Sequence, residues 1–131
     1  MIFNLFKSKP NLKELIPKGF VDIHSHVLPG IDDGAKDIKE SLKLISKMKE
    51  IGFKKIIGTP HIYPLIHENT NDTILSSYNS IMKNEFKDIK ITYGAEYLID
   101  GSLIKKIQKK ELICLKKNYV LIELSYISAP I

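Results

Sequence analysis

Four short apolar segments alternate with segments of helical periodicity along this 131-residue chain. The segments with strand character are residues 20–24, 54–61, 88–96 and 118–125. Such alternation is typical of βα units, because parallel strands need a crossover connection that a helix supplies. The sequence therefore predicts an α/β fold with parallel strands and flanking helices.

The helical segments have recognisable boundaries. Asp37, followed three residues later by Glu40, forms a capping-box pattern, and apolar residues then recur at helical spacing until Gly52 supplies a C-terminal stop. A second apolar stripe runs over residues 74–82, and a shorter third helix is expected at 102–110. Each predicted helix connects two predicted strands.

Composition excludes several classes of protein. Apolar residues make up 44% of the chain, which is enough to form a core. The net charge of +5 comes from dispersed lysines without any arginine, unlike the dense basic arm of a nucleic-acid-binding protein. The single cysteine, Cys114, fits a reducing compartment, and no run reaches the roughly 20 apolar residues of a membrane span. We therefore expect a cytoplasmic protein with no nucleic-acid partner and no transmembrane segment.

Histidine and glutamate residues lie at the predicted C-terminal ends of the strands. His24 and His26 end the first strand, His61 the second and Glu96 the third, and Glu123 lies near the end of the fourth. Because catalytic groups of βα barrels come from these strand ends, the side chains are expected to share one site. His24 and His26, two residues apart, point to the same face, which suits two imidazoles binding one cation. The joint pattern favours metal ligands over structural histidines.

The loop after the first strand adds two aspartates. Asp33 supplies charge and oxygen atoms of the kind that a multi-metal cluster requires. Asp32 has two interpretations: a turn residue beside Gly34, which we favour, or a hydrogen-bonding partner of a ligand. His67 lies in a polar loop and is interpreted as solvated. Cys114 is interpreted as a small core residue, since no arginine or phosphate-cradling glycine loop accompanies it.

The order and spacing of "DIHSHVLPGIDDG", "GTPH", "GAEY" and "YVLIELS" resemble the PHP (polymerase and histidinol phosphatase) superfamily. Within it, they are similar to the CpsB/CapC-type bacterial protein-tyrosine phosphatases of capsular and exopolysaccharide synthesis. The resemblance covers almost the whole chain. It implies a distorted (β/α) barrel with a divalent-metal cluster of up to three ions, usually Mn²⁺. It also implies that the substrate is a tyrosine-phosphorylated protein, namely the tail of a polysaccharide-export kinase.

The resemblance also implies a set of ligands. His24, His26 and Glu96 correspond to ligands of one ion, Glu96 would bridge to a second ion bound by Glu123, and Asp33 and His61 would hold the third. In such enzymes the cations activate the attacking water and neutralise the phosphoryl oxygens. No catalytic residue beyond the metal ligands is therefore expected.

Members of the family continue beyond the segment similar to "YVLIELSYISAPI". We therefore expect residues 1–19 to be an irregular N-terminal lead-in and residues 20–131 to be the N-terminal half of a PHP barrel. Without the C-terminal half, the last strand at 118–125 would have an unpaired edge that favours self-association. Two alternatives stay open: a phosphatase for a small molecule such as histidinol phosphate, and a non-catalytic fragment that binds metal or a partner.

Overall fold

The computed structural model describes residues 9–17 and 19–125. Its helices are α1 (Leu12–Leu15), α2 (Ile38–Ile51), α3 (Asn71–Met82) and α4 (Gly101–Lys109). Its strands are β1 (Val21–Ser25), β2 (Lys55–Gly58), β3 (His61–Ile62), β4 (Lys90–Tyr93), β5 (Glu96–Leu98) and β6 (Leu121–Glu123). Within the described residues, all pairs of these strands are parallel, which confirms the predicted α/β class.

The strands form two three-stranded sheets, in the orders β1-β2-β4 and β3-β5-β6. The predicted second and third strands are therefore each split in two, and their halves belong to different sheets. Pro60 accompanies the first break, because proline has no N–H for a ladder. Gly94 accompanies the second, where a Cβ atom would lie 2.7 Å from a side-chain carbon of Leu115. After the breaks, His61 pairs with Glu96, so two candidate ligands lie side by side.

The boundaries of α2 follow the predicted caps. The Asp37 side chain accepts a hydrogen bond from Glu40 N, and Gly52 ends the helix in the left-handed region with a φ of 116°. The Glu40 carboxylate accepts from Lys36 N, one residue before the cap, rather than completing the predicted capping box on Asp37. α2 is thus fixed at both ends by local contacts.

The other two long helices begin one to three residues before their predicted starts. Thr70 and Thr73 exchange reciprocal side-chain to backbone hydrogen bonds, so α3 begins at Asn71. The Asp100 side chain accepts from the N–H groups of Ser102 and Leu103, so α4 begins at Gly101. Polar caps, rather than the first apolar residue, decide where these helices start.

The core extends from the first sheet and the helices α2 and α3 to β3, β5 and α4. Its fully buried members include Ile56 of β2 and Ile74 and Ile81 of α3. The lead-in was predicted to be irregular, but part of it is helical: α1 forms one turn of helix capped by Asn11. This short helix buries no residue. Among the helices of the described residues, none combines the length and apolar character that crossing a membrane requires.

Candidate metal centre

The six predicted ligands converge in space: His24 lies near the end of β1, His61 and Glu96 are the first residues of β3 and β5, and Glu123 is the last residue of β6. Their donor atoms form three groups, in each of which all atoms lie within 4.8 Å of one another. The groups are His24, His26 and Glu96; His26, Asp33 and His61; and His61, Glu96 and Glu123. The parallel registers bring the ligands of the second sheet together, because His61 pairs with Glu96 and Glu123 pairs with Leu98, two residues after Glu96.

Glu96 lies at the centre of the cluster. Its side chain is 4% exposed, and its Oε2 atom lies 3.2 Å from His24 Nε2 and 3.5 Å from His26 Nε2. The same oxygen lies 3.1 Å from His61 Nδ1. A buried carboxylate is costly unless cations or hydrogen bonds compensate its charge. Glu96 is therefore a carboxylate that two of the three ligand groups share.

Two of the potential metal-binding atoms of the cluster have no hydrogen-bond partner among the described residues. His61 Nδ1 and Glu123 Oε2 are buried and make no hydrogen bond, although His61 Nδ1 lies 3.1 Å from Glu96 Oε2 and 3.7 Å from Glu123 Oε2. An unsatisfied buried polar atom costs about 1–3 kcal/mol, and native proteins contain few of them. Imidazole nitrogens and carboxylate oxygens are also the ligands of divalent transition metals. The residues present thus fit a cluster of divalent cations.

Asp32 is a buried hydrogen-bond acceptor in the turn after β1. Its side chain accepts from Gly34 N at 3.0 Å, as the turn interpretation predicts, and also from the ring of His26 at 2.8 Å. The structure thus gives Asp32 both of the roles considered from the sequence. The hydrogen bond with Asp32 raises the pKa of His26 even though burial lowers it. Burial raises the pKa of Asp32, but the bonds from His26 and Gly34 outweigh it, and the pKa is lowered overall.

His67 and Tyr63 border the cluster, and the prediction that His67 is merely solvated is wrong. The half-buried ring of His67 stacks on that of His61, with centroids 5.6 Å apart. The ring of Tyr63 lies 4.3 Å from His61 by centroids, and two backbone hydrogen bonds join Tyr63 to His67. Strand alternation places residues 61 and 63 on one face and could have indicated Tyr63. Nothing in the sequence pattern indicated His67.

Cys114 lies apart from this chemistry. It is half-buried rather than part of the core, and its Sγ atom lies 3.8 Å from Leu112 O. It belongs to none of the three ligand groups found among the described residues. The candidate site is therefore built from histidines and carboxylates.

Residues 20–129 match the family model described as "Capsular polysaccharide synthesis, CpsB/CapC". The chain belongs to the CpsB/CapC family. Tyrosine-protein phosphatase CpsB of Streptococcus agalactiae is 34% identical over 110 residues, which are 80% of this chain and 45% of that protein. Tyrosine-protein phosphatase YwqE of Bacillus subtilis is 29% identical over 114 residues, which are 84% of this chain and 45% of that protein.

A solved structure agrees with this membership of the CpsB/CapC family. It comes from the crystal structures of YwqE from Bacillus subtilis and CpsB from Streptococcus pneumoniae, described as unique metal-dependent tyrosine phosphatases. The TM-score is 0.66 at 26% identity, over 82% of this chain and 45% of that chain. The predicted family and fold class are thus confirmed, and the chain spans about half the length of the relatives it matches.

Proposed function

We propose that this chain supplies ligands of a divalent-metal centre that hydrolyses phosphotyrosine on proteins. The observation that carries the proposal is the buried Glu96 carboxylate, which three imidazoles surround within 3.5 Å. Relatives of this chain are named tyrosine-protein phosphatases, and the similar solved structures are described as metal-dependent. The small-molecule alternative has no comparable support.

The proposed ligand assignment draws on the three ligand groups but gives each histidine to one cation only. His24, His26 and Glu96 hold one cation, and Glu96 and Glu123 hold a second. Asp33 and His61 hold the third, which is supported by the 3.4 Å between Asp33 Oδ1 and His61 Nε2. A neutral imidazole offers one ring nitrogen to a cation. His61 then faces Glu96 and Glu123 with Nδ1.

The chain's own residues give the centre a closed side and an open side. Glu96 is buried, whereas the side chains of His24 and Asp33 are 49% and 68% exposed. A phosphate group therefore approaches past His24 and Asp33. When bound, the cations act as Lewis acids toward the phosphoryl oxygens and activate water. Because the chain contains no arginine, it has no guanidinium to share that role.

Three finer points belong to the same proposal. The metal is Mn²⁺, whose preference for carboxylate oxygens fits Asp33, Glu96 and Glu123. The substrate is the phosphotyrosine-bearing tail of a polysaccharide-export kinase, and the protein acts in the cytoplasm. The kinase is proposed as the substrate because the family is described as a capsular polysaccharide synthesis family. The cytoplasm is proposed as the location because the chain has a single cysteine, which fits a reducing compartment.

The experiment compares the metal-free chain with the variant His24→Ala/His26→Ala. Each is supplied with Mn²⁺ and then with a phosphotyrosine peptide, an aryl phosphate or histidinol phosphate. We expect Mn²⁺-dependent phosphate release from the peptide that the double substitution lowers at least 100-fold, about 3 kcal/mol. Equal rates from the two proteins would sink the proposal. Tight Mn²⁺ binding without turnover would favour a non-catalytic metal-binding role.

A further inference from the structure

Asp32 is the one carboxylate of the turn that belongs to none of the ligand groups among the described residues. Its side chain is fully buried, whereas that of the adjacent Asp33 is 68% exposed. It accepts three hydrogen bonds, from His26 Nδ1 at 2.8 Å, Gly34 N at 3.0 Å and His61 N at 3.2 Å. The three donors come from the end of β1, the following turn and the start of β3. One carboxylate thus joins three segments of the site.

The hydrogen bond to Asp32 determines which nitrogen of His26 carries the proton. An ionised carboxylate only accepts, so in the neutral ring Nδ1 carries the proton and Nε2 keeps its lone pair. His26 Nε2 lies 3.3 Å from His24 Nε2 and 3.5 Å from Glu96 Oε2. The free lone pair therefore faces the first ligand group.

This bond also resolves an ambiguity among the ligand groups. His26 belongs to two of them, one with His24 and Glu96 and one with Asp33 and His61. In the second case its Nδ1 lies 4.0 Å from Asp33 Oδ1. Since Asp32 engages Nδ1, His26 is left to bind a cation through Nε2, which faces His24 and Glu96 of the first group.

The bond from His61 N extends the effect to a second ligand. It fixes the backbone at the start of β3, and the His26 and His61 rings lie 4.5 Å apart by centroids. The turn itself packs directly on His26, because Ala35 N donates to His26 O, and a Cβ atom at Gly34 would lie 2.1 Å from the same oxygen. Asp32 therefore bonds to both His26 and His61, and these bonds help to set the distance between the two proposed ligands.

We propose that Asp32 is a positioning residue that holds His26 as the Nδ1–H tautomer and ties it to the backbone of His61. It binds no cation itself. The inference rests on the proposed metal centre, where such an outer carboxylate typically changes metal affinity 10–100-fold. The two adjacent aspartates thus have different roles: Asp33 is a ligand, and Asp32 orients ligands.

The test uses Asp32→Asn, with Asp33→Asn as the matched control. The asparagine amide group replaces one acceptor oxygen by a donor, and where it faces His26 Nδ1 it selects the Nε2–H tautomer. Long-range ¹H–¹⁵N NMR of the metal-free proteins, at an alkaline pH of about 9, reports the tautomer of His26. Titration with Mn²⁺, followed by the EPR signal of the free ion, reports affinity and stoichiometry.

We expect the Nδ1–H tautomer in the wild-type chain and in Asp33→Asn, and its loss in Asp32→Asn. Asp32→Asn should weaken Mn²⁺ binding 10–100-fold, whereas Asp33→Asn should lower the number of ions bound. An Nε2–H tautomer in the wild-type chain overturns the proposal even if Asp32→Asn does not fold. Unchanged tautomer and affinity in a folded Asp32→Asn overturn it as well. If the wild-type chain binds no Mn²⁺ but has the expected tautomer, the metal centre fails and the positioning contact stands.

Discussion

In the β1-β2-β4 sheet, three of the four residues of β2 are buried, whereas β6 at the end of the β3-β5-β6 sheet has none buried. The helices repeat this contrast. Ile74 and Ile81 of α3 are completely buried, whereas Ile104 and Ile107 of α4 are 59% and 53% exposed. Beside α4, Ile122 of β6 is 51% exposed. Among the described residues, β2 and the inner face of α3, in the region of the first sheet, are thus buried, whereas β6 and the outer face of α4, in the region of the second sheet, are only partly covered.

The contrast matters because the candidate site draws ligands from both regions. His24 extends from β1, which pairs with the buried β2, and Glu96 is itself buried. Glu123 extends from β6, which among the described strands pairs only with β5. The six proposed ligands are therefore not equally supported by packing. Among the ligands that lie in strands, Glu123 belongs to the strand without a buried residue, whereas β1, β3 and β5 each have at least one.

The largest expected difference between the regions is in core packing. Ile56→Ala removes a fully buried side chain of β2, and we expect a loss of about 2–5 kcal/mol in the free energy of unfolding. Ile107→Ala, on the half-exposed face of α4, should change it by no more than about 0.5 kcal/mol. Urea unfolding followed by circular dichroism measures both. Equal losses would mean that α4 is packed as closely as β2.

A smaller effect separates two glycines. At Gly34, a Cβ atom would lie 2.1 Å from the carbonyl oxygen of His26, so Gly34→Ala must shift backbone, and we expect a loss of about 1–3 kcal/mol. Gly101, the first residue of α4, has nothing within 4 Å of such a Cβ atom, so Gly101→Ala should be neutral or slightly stabilising. Thermal unfolding of both variants checks this. If Gly34→Ala leaves the stability unchanged, the turn can move away from the His26 carbonyl oxygen, and the contact between them is not rigid.

Much of this arrangement could be predicted from local sequence. The ends of α2 depend on Asp37 and Gly52, which act on residues within one helical turn. His61 and Glu96 lie at the ends of two predicted strands, and although they begin β3 and β5 in the structure, parallel pairing still sets them side by side. Signals that act over a few residues, or through a general rule of topology, can be recognised in a single sequence.

The rest depends on contacts between distant segments. The split of the third predicted strand involves the close approach of Leu115 to Gly94. The role of Asp32 depends on His61 N, which lies 29 residues away in the chain. His67 joins the site because its ring stacks on His61, in a loop with no periodic pattern. Such pairings arise only when the fold is complete, so the turn interpretation of Asp32 was correct but incomplete.

The next prediction concerns the cap of α4, a helix with one buried residue. Burial raises the pKa of Asp100, but hydrogen bonds from Ser102 and from Leu103 N outweigh it and lower the pKa overall. The stabilisation is therefore present above the unfolded pKa and is lost as the pH falls through the folded pKa. Asp100→Ala should cost about 1 kcal/mol near neutral pH, and less in acid. Hydrogen exchange of the α4 amides measures it, and a cost independent of pH would contradict the capping role.

The smallest effect is expected at the edge of the second sheet, where self-association stays a prediction. Among the described strands, β6 has a neighbour on one side only, and an unpaired edge with apolar side chains can pair with a second copy. Ile122→Lys places a charge at a half-exposed position of this edge, which disfavours pairing. Light scattering over a concentration series should show weaker association of Ile122→Lys than of the wild type, while Lys105→Ala on the exposed face of α4 leaves it unchanged. If the wild-type chain stays monomeric at every concentration, the exposed edge of β6 does not by itself cause self-association.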